Sequence, residues 1–122
     1  MNNRGQEGHD WSYEFLHGRF KSMQQLDWIG ESTSGEWMAV EVKNQERYTD
    51  PDAHGLPHKQ IYLRLKLQEG LGLRTYLLIR EPDTEKVFGQ WIDVLDRATD
   101  QFFSPNRRRV LYPLRHFKLL YG

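Results

Sequence analysis

Trp37-Met38-Ala39-Val40-Glu41-Val42-Lys43 is the stretch on which the reading of this chain turns. Residues two apart on an extended strand share a face, so Glu41 and Lys43 project together with Trp37 and Ala39, while Met38, Val40 and Val42 face the other way. Apolar side chains on both faces mark a strand that is covered on both, and this one holds a carboxylate beside an ammonium. Upstream, Met23 to Gly30 is also extended, and the intervening Glu31-Ser32-Thr33-Ser34-Gly35-Glu36 is rich in turn formers. A three-residue Thr33-Ser34-Gly35 loop, with Gly35 in the left-handed position, closes a hairpin that sets Asp27 directly opposite Glu41. Opposed residues share a face, with Cβ atoms roughly 4.5–5.5 Å apart.

Working outward, Trp11, Phe15 and Gly18, with Leu16 and Phe20 nearby, predict an amphipathic helix over residues 6–20, with Glu14 beside its buried stripe. The stretch from Asn44 to Pro57 reads as a loop. A helix follows from His58 to Glu69, with Pro57 near its start and Gly70 as its stop. Its apolar residues Ile61, Tyr62, Leu63, Leu65 and Leu67 cover more than one face, which predicts cover from its own sheet on one side and a partner subunit on the other. Arg74 to Arg80 and Lys86 to Ile92 are strands around a Glu81-Pro82-Asp83-Thr84 turn, and Asp93 caps a short helix through Ala98. Val110 to Tyr121, interrupted by Pro113, shows no clean period. Strands mixed with helices predict an α/β or α+β sandwich.

At 122 residues the chain is read as one domain spanning 1–122, with a basic aromatic tail over about 101–122. Its 38% hydrophobic and 28% charged residues fit an ordinary folded protein. The absence of cysteine excludes disulfides and thiolate metal sites, so any metal must sit on oxygen or imidazole. No apolar run reaches the ~20 residues of a membrane span, and Met1-Asn2-Asn3-Arg4-Gly5 leads into no signal region, so an unprocessed intracellular protein without membrane contact is expected. The formal net charge is zero, yet no acidic residue follows Asp100, and Arg107, Arg108, Arg109, Arg115 and Lys118 make the end of the chain basic. A basic tail on an acidic body is a candidate phosphate-binding segment.

Two opposed carboxylates repel unless a cation compensates them. Mg²⁺ takes near-octahedral oxygen coordination from one or two carboxylates and several waters, so Asp27, Glu41 and the Val42 carbonyl are a sufficient protein contribution, with Glu14 as a further oxygen. His9, His17, His54, His58 and His116 show no ligand spacing that points to zinc; His54 and His58 flank Gly55 and Pro57 and do not share a helix face.

Asp27, followed fourteen positions later by Glu41-Val42-Lys43, resembles the D-x(n)-(D/E)-x-K signature of the PD-(D/E)xK nucleases, and among them the archaeal-type Holliday junction resolvases and related phage and viral nucleases. The resemblance covers about residues 8–92. It implies a restriction-endonuclease-like core, a mixed central sheet flanked by helices in αβββαβ order, and a divalent-metal-dependent DNA endonuclease using Mg²⁺, with Mn²⁺ able to substitute. Glu14 matches an extra acidic residue many members carry, and Gln60 stands near the start of the following helix, where several carry a polar site residue. Leu26 stands where the name-giving proline would be. In this reading Asp27, Glu41, Lys43, Glu14 and Gln60 are catalytic, and Lys43 orients the attacking water and offsets developing charge. Arg47, Tyr48, His58, Lys59, Arg107, Arg108 and Arg109 contact DNA, and the chain acts as a homodimer through the Tyr62–Leu67 helix or the aromatic tail. Two rival readings are a nuclease with another substrate, such as a homing or restriction-like or single-strand enzyme, and a nucleic-acid-binding module without hydrolysis.

Overall fold

The computed structural model describes residues 3–21 and 23–122; Met1 and Asn2, where the reading of the chain's start begins, lie outside them. The order of elements is α1 (Asn3–Leu16), β1 (Trp28–Glu31), β2 (Trp37–Asn44), β3 (Ala53–Pro57), α2 (His58–Leu71), β4 (Arg74–Arg80), β5 (Val87–Trp91), α3 (Ile92–Asp96), β6 (Phe102–Phe103), β7 (Arg109–Pro113) and β8 (Lys118–Tyr121). The expected αβββαβ order is therefore present along the chain. The fold is mixed α/β, with a five-stranded mixed sheet ordered β1-β2-β4-β5-β8 and a three-stranded sheet ordered β3-β7-β6.

The hairpin forms as its turn chemistry dictates. Ile29 pairs with Ala39 and Glu31 with Trp37, Ser32 N–H donates to the Glu36 carbonyl at 2.8 Å, and Gly35 takes φ +88°, the region a side chain disfavours. β2 then runs parallel to β4, and β4 antiparallel to β5. A parallel pair needs a crossover, and α2 supplies it.

Leu77, Ile79 and Phe88 of the large sheet, Ile61 of α2, Ile92 and Leu95 of α3, and Leu56, Val110 and Tyr112 of the small sheet form one buried cluster. The small sheet and both helices thus pack on one face of the large sheet, and the apolar residues of that face form the core.

Four expectations are corrected. The segment before the hairpin is a strand only from Trp28. The stretch from Asn44 to Pro57 is not wholly loop: its last five residues are β3, which pairs with β7 in the second sheet rather than joining the central one. That pairing required β7, where Pro113 and the broken alternation hid a strand. α1 ends at Leu16, before Gly18, and its Trp11 and Phe15 stack on each other at 5.2 Å between ring centroids while remaining 65% and 49% exposed; they are not a buried stripe. α2 stops at Gly72, in the left-handed conformation, not at Gly70, and the Gly72 N–H donates to the Gln68 carbonyl.

Candidate active site

Asp27 stands one residue before the first paired residue of β1, so the register carried one step further opposes it to Glu41. Hydrogen-bonded and non-bonded pairs alternate in an antiparallel ladder, and counting from Ser32 and Glu36 makes Asp27–Glu41 a non-bonded pair, the kind whose side chains lie closer. The same alternation turns the Val42 N–H and C=O toward the β1 edge. There the backbone of β1 has already departed, and the Asp27 carboxylate takes its place, Oδ2 accepting the Val42 N–H at 2.8 Å. Asp27 is exposed; Glu41 is only 4% exposed.

Glu41 is held from two sides. Lys43 Nζ lies 3.6 Å from its Oε1. Its Oε2 accepts from Arg64 Nη2 at 3.0 Å and from Arg64 Nε at 3.3 Å. Arg64, itself 5% exposed, also donates to Gln24 Oε1 at 2.8 Å and to the Gln25 carbonyl at 2.7 Å. One guanidinium therefore ties α2 to Glu41 and to the segment that leads into Asp27. Arg64 was not foreseen, although a signal existed: it falls three residues after Ile61 and one before Leu65, a charge on the apolar side of a helix.

The oxygen set of Asp27, Glu41 and the Val42 carbonyl fits a hard divalent cation that keeps waters of its own. Among the described residues no group of three or more His, Cys, Asp or Glu side chains comes together, so further coordination would be left to water and substrate. Glu14 is not brought to the others. The face of α1 turned inward carries His9, Ser12, Tyr13 and Leu16, which line a groove with Met23, Gln24 and Gln25; Glu14 is exposed, well round the helix from that face. Gln60 lies near the start of α2, one turn before Arg64 on the same side of the helix, and its Oε1 is buried without a hydrogen-bond partner.

The residues expected to meet DNA divide into two groups. His58 and Lys59 open α2, and the His58 N–H donates to the Arg108 carbonyl at 3.1 Å, while Pro57 pairs with Arg109. The basic tip of the β6–β7 hairpin therefore stands beside the start of α2, although the two lie about 50 residues apart in sequence. Arg109 also lines a groove with Asn44, Gln45, Glu46, Arg47 and Tyr48 at the end of β2. Arg107 lies over the Phe103 ring at 5.1 Å, and Phe103 faces the His58 ring at 6.1 Å.

Arg47 differs from the rest of this set in being paired within the protein. Its Nε and Nη2 donate to the two oxygens of Glu81 at 2.9 and 3.1 Å, and Nη1 lies 3.4 Å from Asp52, so its guanidinium is engaged within the protein. The same Glu81 accepts from Thr84 and stands 2.6 Å from His54 Nε2. Burial alone would raise the Glu81 carboxyl, but its bonds to Arg47, Thr84 and His54 outweigh that and hold it at about 2. Burial pushes His54 down against the opposing pull of Glu81. This ion cluster fixes the loop after β2 to the end of β4 and was not foreseen either.

No protein-family model and no curated protein matches this chain. Among solved structures it is similar to Hjc, a Holliday junction resolvase from the archaeal hyperthermophile Archaeoglobus fulgidus, with 10% identity, a TM-score of 0.47, and 88% of this chain and 87% of that one covered. So distant a likeness assigns no role to any residue here.

Proposed function

We propose that this chain is a divalent-metal-dependent DNA endonuclease that hydrolyses phosphodiester bonds, acting on branched DNA in the manner of a Holliday junction resolvase, with Mg²⁺ as its cation and Mn²⁺ able to replace it. The observation that supports the reading is the hairpin register, which opposes Asp27 to Glu41 and leaves Lys43 on the face of Glu41, 3.6 Å from its carboxylate. A cation held by Asp27, Glu41 and the Val42 carbonyl would polarise a phosphate and lower the pKa of a bound water. Lys43, a quarter exposed at its side chain, is the group that can reach solvent from beside Glu41, where it orients the attacking water and offsets charge on the phosphorus centre. Gln60, one turn before Arg64 on α2, is the remaining polar member of this catalytic set.

His58, Lys59, Arg107, Arg108 and Arg109 bind the phosphate backbone beside this site, and Tyr48, with Arg47 next to it, meets a base and its phosphate. The chain acts as a homodimer, which would present two sites to a symmetric junction. The exposed Tyr62 of α2 and the exposed Leu119, Leu120 and Tyr121 of β8 are the apolar surfaces on which that assembly rests.

A second reading has a specific observation in its favour. The Glu41–Arg64 pair satisfies Glu41 internally, as a binding module without hydrolysis would also require. Cleavage of four-way junction, linear duplex and single-stranded DNA, with Mg²⁺ or Mn²⁺, decides between them, run with the wild type and with Lys43→Ala and sedimented in parallel to give the oligomeric state. Junction cutting by a dimer, lost in a folded Lys43→Ala, supports the proposal. Cutting of linear duplex at defined sequences, or of single strands, moves the substrate while keeping the chemistry; binding without cutting under all conditions replaces the enzyme with the module.

A further inference from the structure

Opposed carboxylates need a compensating cation, and the fold supplies one of its own. Arg64 is buried on the inner face of α2, and the only carboxylate it touches among its described contacts is Glu41. Both of its bonds to Glu41 fall on one oxygen, Oε2, while its other described donors go to the neutral Gln24 side chain and Gln25 carbonyl. Glu41 Oε1 has the looser partner, Lys43 at 3.6 Å. A divalent cation bridging Asp27 and Glu41 would stand close to a guanidinium that already holds the carboxylate, and like charges at such separations oppose each other strongly in a buried setting.

We infer that Arg64 is a built-in competitor for the metal: it holds Glu41 and the Gln24–Gln25 segment while the site is free of metal, and it gives up Glu41 when a divalent cation binds. This rests on the proposed metal site at Asp27 and Glu41. Two consequences follow. The fold is stable without metal, because the carboxylate pair is never left uncompensated. Metal entry is also coupled to the segment leading into Asp27, since the same guanidinium that loses Glu41 holds Gln24 and Gln25, and coupling of this kind is reciprocal.

The test is calorimetric titration of the full chain with Mn²⁺ in the absence of nucleic acid, comparing wild type with Arg64→Gln and using Asp27→Asn as the control for site. Arg64→Gln is expected to bind Mn²⁺ at least tenfold more tightly than wild type, with the gain abolished when Asp27→Asn is added. Its melting temperature should fall in chelator and recover on saturation with Mn²⁺. A second measurement needs no variant: in nitrogen-15 spectra of the wild type, the Arg64 Nε–H resonance should move in step with a Mg²⁺ titration. If Arg64→Gln binds no more tightly than wild type, or the Nε–H resonance stays fixed while metal binds, competition is overturned and the metal site stands. If wild type and Arg64→Gln both fail to bind Mn²⁺ in an Asp27-dependent way, the metal site and the competition fall together.

Discussion

Asp27 and Glu41 are the same chemical group in two settings, and the difference makes their variants separable. Asp27 is exposed and accepts one backbone N–H, which an asparagine oxygen at the same place can also accept. Asp27→Asn should therefore stay within about 0.5 kcal/mol of wild-type stability, while the proposed metal-dependent cleavage should fall on the order of 100-fold or more, since the proposal makes Asp27 an anionic ligand. Glu41→Gln leaves Arg64 buried without its counter-charge and should lose about 3 kcal/mol by urea denaturation. Equal stability losses in the two variants would contradict these assignments. Glu81 adds a dependence on pH. Its folded carboxyl sits at about 2 against an ordinary 4.5, so below pH 4.5 the unfolded chain binds a proton that the folded chain refuses. The stability this contributes is complete above pH 4.5 and is lost as pH falls through about 2. Urea midpoints measured down this range should fall for the wild type, and the slope should flatten in Glu81→Gln.

At the scale of elements, what could be read from sequence was what is settled locally. The β1–β2 hairpin was legible to its register because a left-handed glycine and a polar turn fix it within a dozen residues. β3 was not, because its partner β7 lies more than fifty residues away and breaks its own alternation with Pro113. α1 misled for a related reason: Trp11 and Phe15 satisfy a helical period, but burial depends on what packs against them, and the inward face proved to be that of His9, Ser12, Tyr13 and Leu16. Arg64 was hidden because a charge on a buried stripe has no meaning until its partner, twenty-three residues upstream on another element, is known. The pairing of β3 with β7 carries its own prediction. Gly55 opposes Leu111, and a Cβ there would run into the Val110 carbonyl, a backbone atom that cannot turn aside. Gly55→Ala should cost about 2 kcal/mol or more by overpacking, whereas Gly8→Ala, where a Cβ meets open space on α1, should cost nothing or stabilise slightly. Thermal melts of the two variants, side by side, check this.

Across the whole molecule the zero net charge conceals where the positive charge stands. The chain's last acidic residue is Asp100, and the hairpin after it delivers Arg107, Arg108 and Arg109 to the start of α2, beside His58 and Lys59, near the end of the strand that carries Glu41 and Lys43. The second sheet, which no family resemblance had announced, is what moves a sequence tail beside the start of α2, where the proposed function needs a grip on the phosphate backbone. Losing nonspecific phosphate contacts weakens binding alike across sequences and shallows its salt dependence, because each contact releases about one counterion. Arg107→Ala with Arg108→Ala, both at exposed positions, should therefore lower affinity for junction and duplex DNA by similar factors, and reduce the slope of log affinity against log salt by about 2. Fluorescence anisotropy from 50 to 200 mM salt measures both quantities. A slope unchanged from wild type would put the backbone contact elsewhere on the protein, and a loss confined to junctions would make the hairpin a reader of branch geometry rather than a general grip on phosphate.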